Sequence, residues 1–153
     1  SCEFRGIRGN VQTRLRRLEE EAFDGTVLAA AGLRRLHMEA VIGRVFSVEE
    51  VVPAAGQGIL AVQGRKGEDY SWLAAYDCKK SRAEAEAERA FTAALGGGCT
   101  SPIAAHAQLA GTELRLTGLY YAGEDTYWTQ TKTGDAGKAR EIGLALAEEM
   151  RRR

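Results

Sequence analysis

Apolar side chains first recur at helical spacing. Val11, Leu15, Leu18 and Ala22 form one narrow stripe, and Asn10 stands before them as an N-cap. The spacing predicts a helix from residue 11, and "FRGIRGN" ahead of it reads as the end of a strand. Thr26 to Leu33 (TVLAAAGL) is a short, almost unbroken apolar run closed by Gly32. Between helices, such a run predicts a buried strand of an α/β sheet. "LRRLHMEAVIGRV" reads as a short helix or a pair of turns. Val51 to Arg65 carries a proline and three glycines before its last residues turn strand-like, the pattern of a hinge or crossover. "SWLAAYD" is helical. "KKSRAEAEAERAFTAAL" is the clearest helix, with Ser81 and Glu84 spaced as a capping box.

Beyond Cys99 the period changes from helical to alternating. "IAAHAQLA", "ELRLTGLYY" and "TYWTQTKT" read as three short strands, with turns at Gly111–Thr112 and at Gly123–Asp125. "DAGKAREIGLALAEEMRRR" reads as a closing helix. The pattern therefore predicts an α/β first part and a small α+β second part of three strands with helices.

Composition narrows the picture. The chain has 153 residues, and 21 Lys and Arg balance 21 Asp and Glu. That balance argues against a general polyanion binder such as a nucleic-acid protein, so an anion site must be built from locally placed charges. No apolar run approaches the roughly 18 residues of a membrane span, and the first ten residues lack the apolar core of a signal peptide. Cys2, Cys78 and Cys99 are odd in number and lack C-x-x-C spacing, which suits a reducing, cytoplasmic setting. His37 and His106 offer no metal-ligand spacing, so no metal is expected.

The arginines of the first helix separate by position. Arg16 and Arg17 each have a glutamate four residues on, an ordinary pair on a solvated face. Arg14 flanks the apolar stripe, and its i+4 neighbour is Leu18. Arg8 precedes the helix start, where free N–H groups favour an anion. Arg35 follows the apolar run, at the end where α/β sheets present ligands. These three could hold carboxylates bidentately, or could be surface arginines like their neighbours.

Cys99 follows three glycines in the stretch "LGGGCTSP". It follows a helix C-terminus, where the dipole raises a thiol's pKa, so it is poorly placed as a protease-type nucleophile. The glycines give access, or simply cap the helix around a small filler residue.

Four blocks, "RGNVQTRLRRL", "VLAAAGLRRL", "PAAGQGILAV" and "AERAFTAALGGGCTSPIAAHA", resemble the porphobilinogen deaminase (hydroxymethylbilane synthase) family in that family's order. The resemblance implies residues 1–52 as the second half of the family's domain 2, part of a periplasmic-binding-protein-like α/β fold. It implies residues 53–78 as hinge and crossover belonging to domain 1, and residues 79–153 as the cofactor-carrying domain 3. It implies that Cys99 bears a dipyrromethane cofactor through a thioether. Arg8, Arg14 and Arg35, with Asn10 and Gln57 as further candidates, then hold the carboxylates of the cofactor and growing chain. The implied reaction is a transfer: four porphobilinogen units are joined with loss of ammonia, and water releases linear hydroxymethylbilane. The catalytic acid of the family belongs to an N-terminal half outside this sequence. No catalytic residue is therefore expected here, and the chain alone is expected to be inactive. The implied partners are porphobilinogen, the growing pyrrole chain and that other half, in a monomeric whole enzyme. The alternative is a non-catalytic carboxylate- or pyrrole-binding module on the same scaffold.

Overall fold

The computed structural model describes residues 2–98, 101–123 and 126–153. The chain divides into two compact units, residues 1–46 and 47–153.

The second unit is a three-stranded antiparallel meander with helices packed on one face. Its helix α3 spans Lys79–Ala94. Strands β1 (Ile103–Ala110), β2 (Glu113–Gly123) and β3 (Thr126–Asp135) follow in spatial order. A 3₁₀ turn, Ala136–Lys138, leads into the helix spanning Ala139–Arg151. The alternation seen in the sequence is the alternation of faces. Ala105, Ala107, Leu114 and Leu116 are buried under the helices, and residues between them face outward. Ala110 pairs with Glu113, so Gly111–Thr112 is a two-residue hairpin loop, with Gly111 at φ +61°. Of the second expected turn, Glu124 and Asp125 lie outside the described residues.

Phe91 fixes how α3 meets the sheet. Its ring is fully buried, and a Cβ on Gly118 would sit 2.5 Å from it. Gly143 does the same between the helices. A Cβ there would lie 2.3 Å from the carbonyl oxygen of Ala87. Leu146, Met150 and Ile142 complete the core from the closing helix.

Two expectations in this unit are corrected. The helix α3 begins at Lys79 with Cys78 as N-cap, so Ser81 and Glu84 are not a capping box. The Glu84 carboxylate instead accepts from the N–H of Leu109 at 2.9 Å. Ile59–Gly64, expected to be strand-like, forms no strand ladder among the described residues, whereas Ser71–Tyr76 is helical as expected, in the 3₁₀ form.

The first unit is helical among its described residues. Helix α1 spans Val11–Glu20 and helix α2 spans Ala30–Arg35, with a 3₁₀ turn at Glu39–Val41. Asn10 is the N-cap of α1, its side chain accepting from Thr13 N–H at 2.8 Å. The stripe ends at Leu18, because Ala22 takes φ +52° just past the helix. The strand expected over Thr26–Leu33 is not formed. Residues 26–29 are irregular, and Ala30 onward is helix. A short apolar run does not distinguish a strand from a buried helical turn, and alanine favours the latter. Gly32 lies inside α2 rather than ending a strand, and the space at its Cα faces Val11 at 4.0 Å. "FRGIRGN" likewise forms no strand. Among the described residues no helix is long and apolar enough to cross a membrane.

Candidate functional site

The N-terminus of α1 gathers three of the expected residues. Gly9 takes φ +125°, and a Cβ there would meet the Thr13 side chain at 2.8 Å. Glycine therefore lets the loop turn tightly against the first turn of the helix. Arg14, half-buried, donates from Nε to the Gly9 carbonyl at 2.8 Å, leaving its terminal nitrogens unused among the described residues. The Arg8 guanidinium has no partner there; only its carbonyl is engaged, by Arg17 at 3.4 Å. Arg17 in turn pairs with Glu21, and Arg16 with Glu20 at 3.3 Å, the local pairs that spacing predicted. The first turn of α1 holds no acidic residue. Asn10 satisfies Thr13, while the N–H groups of Val11 and Gln12 have no acceptor among the described residues. Two cationic side chains and two backbone donors without acceptors among the described residues thus belong to one helix end, a donor set of the kind that attracts a carboxylate.

Arg35 needs correction. It does not follow a strand; it is the last residue of α2, exposed, beside an equally exposed Arg34. A cation there also complements the helix dipole, so the geometry does not distinguish the two.

The other candidates lie in the second unit. Gln57 is exposed in a turn where Gly56 takes φ +81°, its N–H donating to Ala54 at 3.2 Å. Cys99 lies outside the described residues. The glycines before it have separate tasks. Gly96, at φ +72°, and Gly97 close α3, donating to Ala93 (3.0 Å) and Thr92 (2.9 Å) as in a Schellman motif. A Cβ on Gly97 would meet Thr92 at 2.6 Å, whereas the space at Gly98 is open.

Two residues were missed from sequence. Glu88 is buried on α3, its carboxylate accepting from Ala107 N–H at 2.8 Å and Gly56 N–H at 2.7 Å. Burial pushes its pKa up, opposed by those two hydrogen bonds and by nearby His106. The available signal was an acid among Ala87, Ala90 and Phe91, on the helix face that enters the core. Cys78, exposed at the start of α3, has its thiol pushed down by the hydroxyl and N–H of Ser81. It borders a cleft of about 850 Å³ with Arg82, Arg89 and Arg140, which none of the expected site residues among the described ones lines.

The fold defines a class: a small antiparallel sheet backed by helices in one unit, and in the other a helical unit whose arginine-bearing helix end keeps cationic donors without partners among the described residues. Comparison with known proteins makes this particular. Residues 1–72 match the family model for porphobilinogen deaminase, dipyrromethane cofactor binding domain, and residues 82–152 match that for the porphobilinogen deaminase C-terminal domain. The chain is 45% identical to the porphobilinogen deaminase of Ruminiclostridium josui over 152 residues, covering 98% of the chain and 52% of that protein. It is 47% identical to that of Acetivibrio thermocellus, covering 97% of the chain and 51% of the relative. For Roseiflexus castenholzii the figures are 45%, 94% and 48%. The chain belongs to the porphobilinogen deaminase family, and it spans about half the length of the curated relatives it matches.

Proposed function

We propose that this chain supplies the cofactor-anchoring and carboxylate-binding part of a hydroxymethylbilane synthase, a transferase that joins four porphobilinogen units with loss of ammonia. The observation that carries the reading is the helix end at Arg8, Arg14, Val11 and Gln12, whose donors have no internal acid to satisfy them. A dipyrromethane is rich in carboxylates, and this donor set fits it in charge and in hydrogen-bonding type. When bound, the group offers the free pyrrole carbon on which each new unit is added. Arg8 and Arg14 hold side-chain carboxylates, Asn10 keeps the helix end formed, and Arg35 and Gln57 add contacts. Cys99 is the tether, following a helix closed by Gly96 and Gly97. Fixed cations of this kind orient the pyrroles and stabilise charge.

The same reading gives residues 1–52 to half of a periplasmic-binding-protein-like domain, 53–78 to a hinge, and 79–153 to the cofactor domain. It expects a cytoplasmic enzyme, monomeric when whole, whose other half holds the catalytic acid.

The test is to produce the chain together with the amino-terminal half of a relative and to measure its mass. The Cys99 peptide should be heavier by one dipyrromethane and should redden with acidic aldehyde reagent. Cys99→Ser should abolish both, and Arg8→Ala or Arg14→Ala should lower the loading. An unmodified Cys99 in that protein overturns the tether. Pyrrole binding that survives Cys99→Ser but falls with Arg14→Ala would favour the non-catalytic module.

A further inference from the structure

The outer edge of β1 is closed donor by donor. β1 pairs with β2 on one side only. On the other side, Ala105 N–H donates to the Pro53 carbonyl at 3.0 Å. Ala107 N–H donates to Glu88 Oε1 at 2.8 Å, and Leu109 N–H to Glu84 Oε1 at 2.9 Å. Edge strands need such cover, since unpaired N–H groups recruit other strands. Glu84 and Glu88 stand one helical turn apart on α3, and so both reach the edge.

Glu88 does more than Glu84. Its second oxygen, Oε2, accepts from Gly56 N–H at 2.7 Å. The carboxylate therefore joins three segments: α3, β1 and the turn leading to Gln57. With the Pro53 carbonyl on Ala105, the turn is fastened to the strand edge at both ends. A carboxylate that is 4% exposed is costly to bury, and both of its oxygens are engaged. Its titratable neighbours are His106 on β1, at 3.9 Å, and Glu84 on its own helix.

We propose that Glu88 is a positioning residue for Gln57, clamping the 53–57 turn to the sheet whose covering helix α3 runs out at Gly96 and Gly97. Turn and helix then move as one body, and Gln57 keeps a fixed place relative to the chain leaving α3. The clamp stands on the hydrogen bonds; its bearing on pyrrole binding rests on the reading of Gln57 given above.

The experiment uses the whole chain, labelled for NMR. In the wild type, the amide resonances of Gly56 and Ala107 should shift together with the Glu88 carboxyl carbon through one titration. In Glu88→Gln one of the two accepting oxygens becomes a donor, so hydrogen exchange at Gly56 or at Ala107 should quicken about tenfold, the effect of losing one hydrogen bond, while Leu109 is unchanged. Glu84→Met, which keeps the helix and removes the acceptor, should do the reverse. A role in general packing predicts instead that both variants quicken exchange alike. That result, or a wild-type titration felt by Ala107 and not by Gly56, overturns the proposal. If Glu88→Gln does not fold, the wild-type titration decides alone. Failure of the proposed function would show as an unmodified Cys99 with the co-titration intact, so the two failures are distinguishable.

Discussion

Residues 1–46 and residues 47–153 put their sequence to different uses. Among the described residues, the second unit contains every buried apolar residue except Leu33. The first unit contains α1 with no buried residue, and Leu33 is its one buried apolar side chain among the described residues. Yet the first unit carries the unpartnered donors of Arg8 and Arg14, and the second carries the buried core. A core stabilises by removing apolar area from water, whereas a site must leave donors unsatisfied. The division of the chain follows that opposition.

The largest test of this contrast is a pair of truncations. Phe91→Ala should cost about 3–5 kcal/mol, since the fully buried ring fills the space over Gly118. Leu33→Ala should cost no more than about 2 kcal/mol, the low end for such changes, because no other buried residue surrounds it within its unit. Urea unfolding followed by far-UV circular dichroism measures both. Equal losses would break the comparison.

Glycines give the next test. Gly143→Ala places a Cβ 2.3 Å from the Ala87 carbonyl and should cost about 1–3 kcal/mol by forcing the two helices apart. Gly98→Ala meets open space and should stay within about 0.5 kcal/mol. Thermal melting of the two variants reads this directly. A damaging Gly98→Ala would mean that the approach to Cys99 is packed after all.

The two units also differ in how legible they were from sequence. The sheet was readable because a period of two and a Gly-Thr turn leave little freedom of register. The start of α3 was misplaced because cysteine is an uncommon N-cap with a weakly accepting sulfur, while Ser81 and Glu84 imitate a cap three residues later. The run Thr26–Leu33 was misread because burial alone does not separate strand from helix at that length. The ion pairs of α1 were legible because helical spacing sets Arg16 and Arg17 one turn from Glu20 and Glu21 and leaves Arg14 with Leu18 as its i+4 neighbour. Glu88 was not found, because its partners, Ala107 and Gly56, lie 19 and 32 residues away, and both are backbone N–H groups. Nothing local encodes a backbone donor at that distance.

Helix ends sharpen the comparison on a smaller scale. α1 and α3 both close by a bond from the second residue past the C-cap to the carbonyl three residues before it. Phe23 donates to Leu18 at 3.0 Å, and Gly97 to Thr92 at 2.9 Å. The left-handed residue between is Gly96 in one and Ala22 in the other. Ala22→Gly should therefore stabilise the end of α1, and Gly96→Ala should destabilise the end of α3, each by about 1 kcal/mol. Amide exchange at Phe23 and Gly97 should slow in the first variant and quicken in the second.

The smallest effect lies on α1 itself. Arg16 reaches Glu20 at 3.3 Å with most of its side chain in solvent, so Arg16→Ala should cost only about 0.2–0.5 kcal/mol. That penalty should vanish in 1 M salt, where screening removes what little attraction the pair has. Arg14 is two residues earlier and behaves differently, because its Nε holds the Gly9 carbonyl, a contact that salt does not screen in the same way. Arg14→Ala should therefore keep its cost in high salt. If Arg16→Ala kept its cost as well, the solvated face and the site face of this helix would not be separate, and Arg8 and Arg14 would lose their claim to be free for a ligand.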